Sequence, residues 1–135
     1  GDRPMRLPPP VADLLGIELV EAGGGECTMK LEAGEQHSNP MGTIHGGIIC
    51  DLADAAMGMS FFSTLDEGES FTTLELKVNF LRPFWTGTLQ AHGKVISRGK
   101  TVGLTECRVV DADERLIAYA TSTVMALRGD LAEGR

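Results

Sequence analysis

A chain of 135 residues has room for one domain and little more. Apolar residues at 42% and charged residues at 23% are ordinary for a packed domain and exclude a disordered one. A net charge of −7 with no basic stripe argues against a nucleic-acid partner. Every apolar run is broken by Asp, Gly or His well before the ~18 residues of a transmembrane helix, so no membrane association is expected.

The first ten residues, GDRPMRLPPP, are Pro-rich and extended in character, and residues 1–11 are read as an N-terminal segment outside the domain proper. They lack the basic start and apolar stretch of a secretion signal. VADLLG (11–16) suits one short helical turn ended by Gly16, and IELVEAG (17–23) a strand closed by a Gly23–Gly25 turn. ECTMKLEA (26–33) alternates, with Cys27, Met29 and Leu31 on one face, as a half-buried strand does. Residues 34–43 have no periodicity and form a loop.

Residues 44–65 make the one long helix, apolar almost all round and therefore buried. Four strand-like segments follow at 71–83, 87–99, 101–111 and 115–127. In the first of them Leu74, Leu76, Val78 and Phe80 share one face, and Thr73, Glu75, Lys77 and Asn79 the other. Short joins favour antiparallel neighbours. Residues 128–135 form a polar tail, leaving 12–127 as the domain. A sheet of five or six strands with one helix to cover it must curl around that helix. One helix cannot cover so many strands alone, so dimerisation is expected to complete the core.

The chemistry concentrates in Asn39-Pro40-Met41-Gly42-Thr43-Ile44-His45-Gly46-Gly47 and in Asp54. Glycines weaken a helix, by about 1 kcal/mol each in an interior, so Gly46 and Gly47 need another reason. One is to leave the first free N–H groups, at the positive end of the helix dipole, open to an oxyanion or a polarised carbonyl. The other is close packing of the helix start. Asp54 sits deep in the apolar run, where a carboxylate needs partners or a function. Asp51 is read instead as a hydrogen-bonded core residue. Gly46 and Asp54 are ~12 Å apart along a helix, too far to act on one carbonyl. Two helices set antiparallel about a two-fold axis would bring Gly46 of one chain to Asp54 of the other.

Asn39, His45-Gly46-Gly47, Asp54, Thr72-Thr73 and Asn79-Phe80-Leu81-Arg82-Pro83 resemble the hotdog-fold acyl-CoA thioesterases of the phenylacetate-pathway (PaaI) type, over nearly the whole chain. That resemblance implies an α+β hotdog fold, an antiparallel sheet wrapped around one long helix, in dimers or tetramers. It implies Asp54 as the catalytic carboxylate, acting as nucleophile or as base on water. It implies the Gly46 N–H as the group polarising the carbonyl, Asn39 and His45 as flanking polar residues, and Thr73 as the hydroxyl near the attacking water. The substrate is then an acyl-CoA thioester, with no cofactor and no metal.

Of the histidines, His45 beside the helix start suits a positional hydrogen bond, while His37 and His92 have no spaced partners. Cys27, Cys50 and Cys107 read as reduced thiols of a cytoplasmic protein. Gly47 joins the candidate substrate contacts at the helix start. Arg82, Arg98 and Lys100 are candidates for the CoA phosphates, or equally solvated cations. Met57 and Phe61, with Phe62, are candidates for the acyl pocket, or equally core. A non-catalytic acyl-CoA-sensing module is the rival reading, and a structural subunit of a larger complex a further one.

Overall fold

A computed structural model describes residues 9–133. Helix α1 (Pro10–Leu15) is closed by Gly16 in the left-handed conformation, φ 82°, where glycine is unstrained. Strands β1 (Ile17–Gly23) and β2 (Glu26–Ala33) form a hairpin. Helix α2 (Gly46–Phe62) follows, then β3 (Ser70–Phe80), β4 (Gly87–Arg98), β5 (Val102–Val110) and β6 (Leu116–Leu127). A short 3-10 turn at Gly129–Ala132 lies in the polar tail. The sheet is antiparallel throughout in the order β1-β2-β4-β5-β6-β3. β3 thus lies at the edge opposite β1. Among the described residues no helix is long and apolar enough to cross a membrane.

The sheet wraps α2, which packs mainly on β4, β2 and β5. Small residues face each other across this contact: Ala53 and Ala56 on the helix, Ala91 and Gly93 on β4, Ala120 on β6, all fully or nearly fully buried. At Gly93 the approach is closest, since a Cβ there would lie 2.5 Å from the Ala56 carbonyl oxygen. A helix backbone cannot yield as a side-chain tip can. Gly93→Ala is therefore expected to destabilise the fold by roughly 1–3 kcal/mol, the usual range for overpacking. A urea midpoint equal to the wild type would contradict this.

The hydrophobic alternation misleads in β3. A bulge between Thr73 and Glu75 inserts Leu74 as an extra residue. Before it, Phe71 and Thr73 pair with Ala126 and Val124; after it, Leu76, Val78 and Phe80 pair with Ser122, Ala120 and Ala118. Those partners all point at the helix. The bulge reverses the phase of alternation, so Thr73 shares the inner face with Val78, contrary to the strict period-2 expectation. Leu74 is thrown outward, 53% exposed. Phe80, near the end of this edge strand, is 55% exposed.

Cys27 and Cys107 belong to the core. Burial pushes their thiols up to about 11 and about 12, which suits packing and not nucleophilic chemistry.

Candidate active site

The segment before α2 lacks periodicity but is tightly held. His37 is buried; its Nδ1 accepts the Gly34 N–H at 3.0 Å and its Nε2 donates to the Leu15 carbonyl at 2.7 Å. Because Nδ1 accepts a backbone N–H, the ring proton lies on Nε2. The His37 carbonyl in turn accepts the His45 N–H at 2.8 Å, and the Phe84 carbonyl accepts the Ile44 N–H at 2.7 Å. These bonds fix the direction in which the helix starts.

His45 is the N-cap of α2, and its Nδ1 accepts the Gly47 N–H at 2.9 Å. That supports the positional role over an acid–base one. It also corrects the expectation for Gly47, whose amide is engaged by the cap and not open to substrate. The Gly46 N–H, one position earlier, has no intrahelical acceptor and meets none among the described residues. Both glycines have a packing reason too. A Cβ at Gly46 would lie 3.1 Å from the Phe80 ring, and one at Gly47 3.1 Å from the capping imidazole. The helix tip is thus kept bare by its surroundings, and one amide is left free.

Asn39 is turned inward on its own loop: Oδ1 accepts the Met41 N–H at 3.0 Å and Nδ2 donates to Thr43 Oγ1 at 2.7 Å. One amide proton and one lone pair remain for a ligand.

Asp54 lies two turns along α2, half-buried, and accepts a hydrogen bond from Thr73 Oγ1 at 3.2 Å. Burial pushes its carboxyl above the ordinary range; the Thr73 hydroxyl pulls it back, and the charge of Asp51 raises it further. Asp51 is not the core residue expected: it faces solvent. One turn of helix separates a solvated acid from a shielded one.

Asp54 opens into an apolar cavity of about 640 Å³. Ile17, Leu19 and Met29 line it from the first hairpin, Ala55 and Met59 from α2, and Phe71 from β3, with Pro9 and Ala12 of the α1 region at the rim. Met57 and Phe61 do not line it. Both are fully buried, on the helix face against the sheet, so the acyl-pocket expectation for them is corrected to a core role.

Of the candidate cations, Arg98 and Lys100 lie together and Arg82 lies apart from them. Arg82 borders the cleft at the Gly46 end, with Thr43, Ile49 and Phe80. Arg98 lies near the other end of α2, donating to Thr64 Oγ1 at 3.1 Å, its guanidinium 4.7 Å from the Phe61 ring centre. Lys100 is exposed in the turn beside it.

Sequence reasoning missed His37, Gly58 and Phe71. Gly58 carried a signal, because a glycine inside a buried helix costs about 1 kcal/mol against Ala and calls for a packing reason.

An antiparallel sheet curled over one long helix, with a shielded acid on that helix and a bare amide at its tip, is the hotdog arrangement. The chain belongs to the thioesterase superfamily, whose sequence profile matches residues 41–118. Human acyl-coenzyme A thioesterase 13 is 32% identical over 113 residues, covering 79% of this chain and 77% of that protein. The 1,4-dihydroxy-2-naphthoyl-CoA hydrolase of Listeria monocytogenes is 28% identical over 83% of this chain and 91% of its own. Among solved structures, a phenylacetic acid degradation-related protein of Ralstonia eutropha matches with a TM-score of 0.80 at 31% identity over 93% of each chain. The PaaI protein of E. coli matches with a TM-score of 0.84 at 25% identity, over 90% of this chain and 87% of that one.

Proposed function

We propose that the chain is a cytoplasmic acyl-CoA thioesterase whose site is shared between two copies in a homodimer or homotetramer. The observation that carries this reading is Asp54: a half-buried carboxylate, held by a hydroxyl, at the mouth of an apolar cavity. Its own chain's free Gly46 amide lies eight residues back on the same helix, or ~12 Å. A second α2 running antiparallel supplies that amide at the right place.

The thioester carbonyl oxygen rests on the partner copy's Gly46 N–H, with the helix dipole adding to the polarisation. Asp54 attacks the carbonyl carbon, or takes a proton from a water that does so. The tetrahedral centre collapses, the C–S bond breaks and the thiolate leaves. Its conjugate acid has a pKa near ~8.5, so no strong general acid is needed. If Asp54 attacks directly, water then hydrolyses the mixed anhydride. Asn39 and His45 shape the amide tip, and Arg82, Arg98 and Lys100 are the cations offered to the CoA phosphates. The reaction needs no cofactor or metal.

The test is a thiol-release assay across acyl- and aryl-CoA esters. Tight CoA binding without release from any of them would replace the hydrolase with an acyl-CoA sensor. Thr73 offers a finer check. Its hydroxyl stabilises the charged form of Asp54, so its loss raises the carboxyl further. In Thr73→Val the acid limb of the kcat/KM profile is expected to move to higher pH. A limb that stays in place, or moves down, contradicts the role given to this bond.

A further inference from the structure

The cavity beside Asp54 is open along a line that begins at the carboxylate and passes Gly58. Gly58 is one turn beyond Asp54, ~6 Å along the helix, and faces the same cavity. An acyl group whose carbonyl carbon sits at Asp54 runs past Gly58. The Phe71 ring lies directly on Gly58, and the two form one wall of the cavity. A Cβ at Gly58 would meet this ring at 2.9 Å (Cε2) and 3.1 Å (Cζ), inside any real contact distance.

Phe71 cannot retreat from such a Cβ. Phe61 packs edge-on behind it at 6.5 Å between ring centres, and Phe62 tilts against it at 6.1 Å. Phe61 is fully buried. The cavity is an open direction for a displaced Phe71. A methyl group at position 58 therefore narrows the cavity through the ring that it pushes out.

The lining also has a charge character. Its ionisable side chains are Asp13, Glu18 and Asp54, and no cation appears among the described lining residues. Glu18 is paired with Lys30 at 3.6 Å. A carboxylate at the end of an acyl group meets no partner among the described lining residues of one chain, which is costly.

We infer that Gly58 and Phe71 together set the size of the acyl group, and that the cavity selects an uncharged one. This rests on the thioesterase reading above. Neither residue touches the reacting atoms; they gauge what can lie beside them.

The experiment measures kcat/KM for acetyl-, benzoyl-, octanoyl- and glutaryl-CoA with the wild type, Gly58→Ala and Phe71→Leu. The wild type is expected to prefer benzoyl- or octanoyl-CoA to glutaryl-CoA. Gly58→Ala is expected to cut the ratio of benzoyl to acetyl turnover by about tenfold or more, as one methyl in a tight pocket does. Acetyl turnover, which does not reach position 58, stays near wild type. Phe71→Leu is expected to raise the ratio of octanoyl to acetyl turnover. If Gly58→Ala does not fold, Phe71→Leu carries the test. Ratios unmoved in the folded variants, with the wild type active, overturn this inference and leave the thioesterase reading standing. Glutaryl-CoA as the best substrate overturns the uncharged assignment. A wild type that cleaves none of the four overturns both.

Discussion

Asp54→Asn is expected to lower kcat/KM for thioesters by at least roughly 10²–10⁴-fold, the contribution of a positioned base, while the fold and oligomer survive. Asn keeps the shape of the side chain, and its Oδ1 can still accept the Thr73 hydroxyl proton, so the loss reads the missing charge and not a collapsed pocket. The pH dependence follows from the same burial. Asp54 is raised above the usual carboxylate range, so the acid limb of the wild-type profile is expected above that range too. Stability runs the other way. The folded carboxyl titrates above its unfolded value, so its ionisation opposes folding: no penalty below the unfolded pKa, the full penalty once pH exceeds the folded pKa. Near neutral pH, Asp54→Asn should therefore melt no lower than the wild type. Wild-type-like turnover by this variant refutes the catalytic assignment. A large fall in Tm would instead give Asp54 a structural role.

The cost of keeping that acid also explains how much of the site the sequence exposes. Binary pattern reports which faces are apolar. It placed the long helix, the alternating β2 and the antiparallel run of strands, because burial of those faces dominates the energetics. It made Asp54 conspicuous as a charge in a run with almost no solvent face, and the glycines at 46 and 47 conspicuous as poor helix formers. Asp51 and Asp54 look alike in such a reading. Which of them is shielded depends on where the partly open stripe of α2 falls against the sheet, and a three-residue step around the helix decides it. Thr73 was assigned to the outer face because nothing in SFTTLELKVNF announces a bulge. An extra residue in an edge strand requires no Gly or Pro, and it alone turned the hydroxyl toward the acid. His37 was hidden for a related reason. Its partners are backbone groups of Leu15 and Gly34, and backbone atoms leave no trace in composition or spacing. Met57 and Phe61 were hard to assign, since a large apolar side chain on a buried helix reads the same whether it faces a sheet or a cavity.

A shared site makes a prediction that no single-chain site can mimic. A chain carrying Asp54→Asn keeps its Gly46 amide; a chain carrying Gly46→Pro keeps its acid and lacks the amide proton. Proline suits this position. It is the first residue of α2, where proline is tolerated. The preceding His45 has φ −65° and ψ 131°, the extended conformation that proline demands of its neighbour. The strain falls on the Phe80 ring, 3.1 Å from a Cβ at Gly46, and Phe80 is 55% exposed and free to swing out. Each homodimer is expected to be inactive. In a hybrid dimer, one site pairs the intact acid with the intact amide and the other pairs the two lesions. Random reassortment of equal amounts makes about half the dimers hybrid, each with one working site of two, so about a quarter of wild-type activity should return. No recovery in hybrids shown to have formed, by differential tags and native mass spectrometry, would place acid and amide in one chain. The separation along α2 then leaves no way for both to reach one carbonyl, and the catalytic reading of the helix tip would have to be given up.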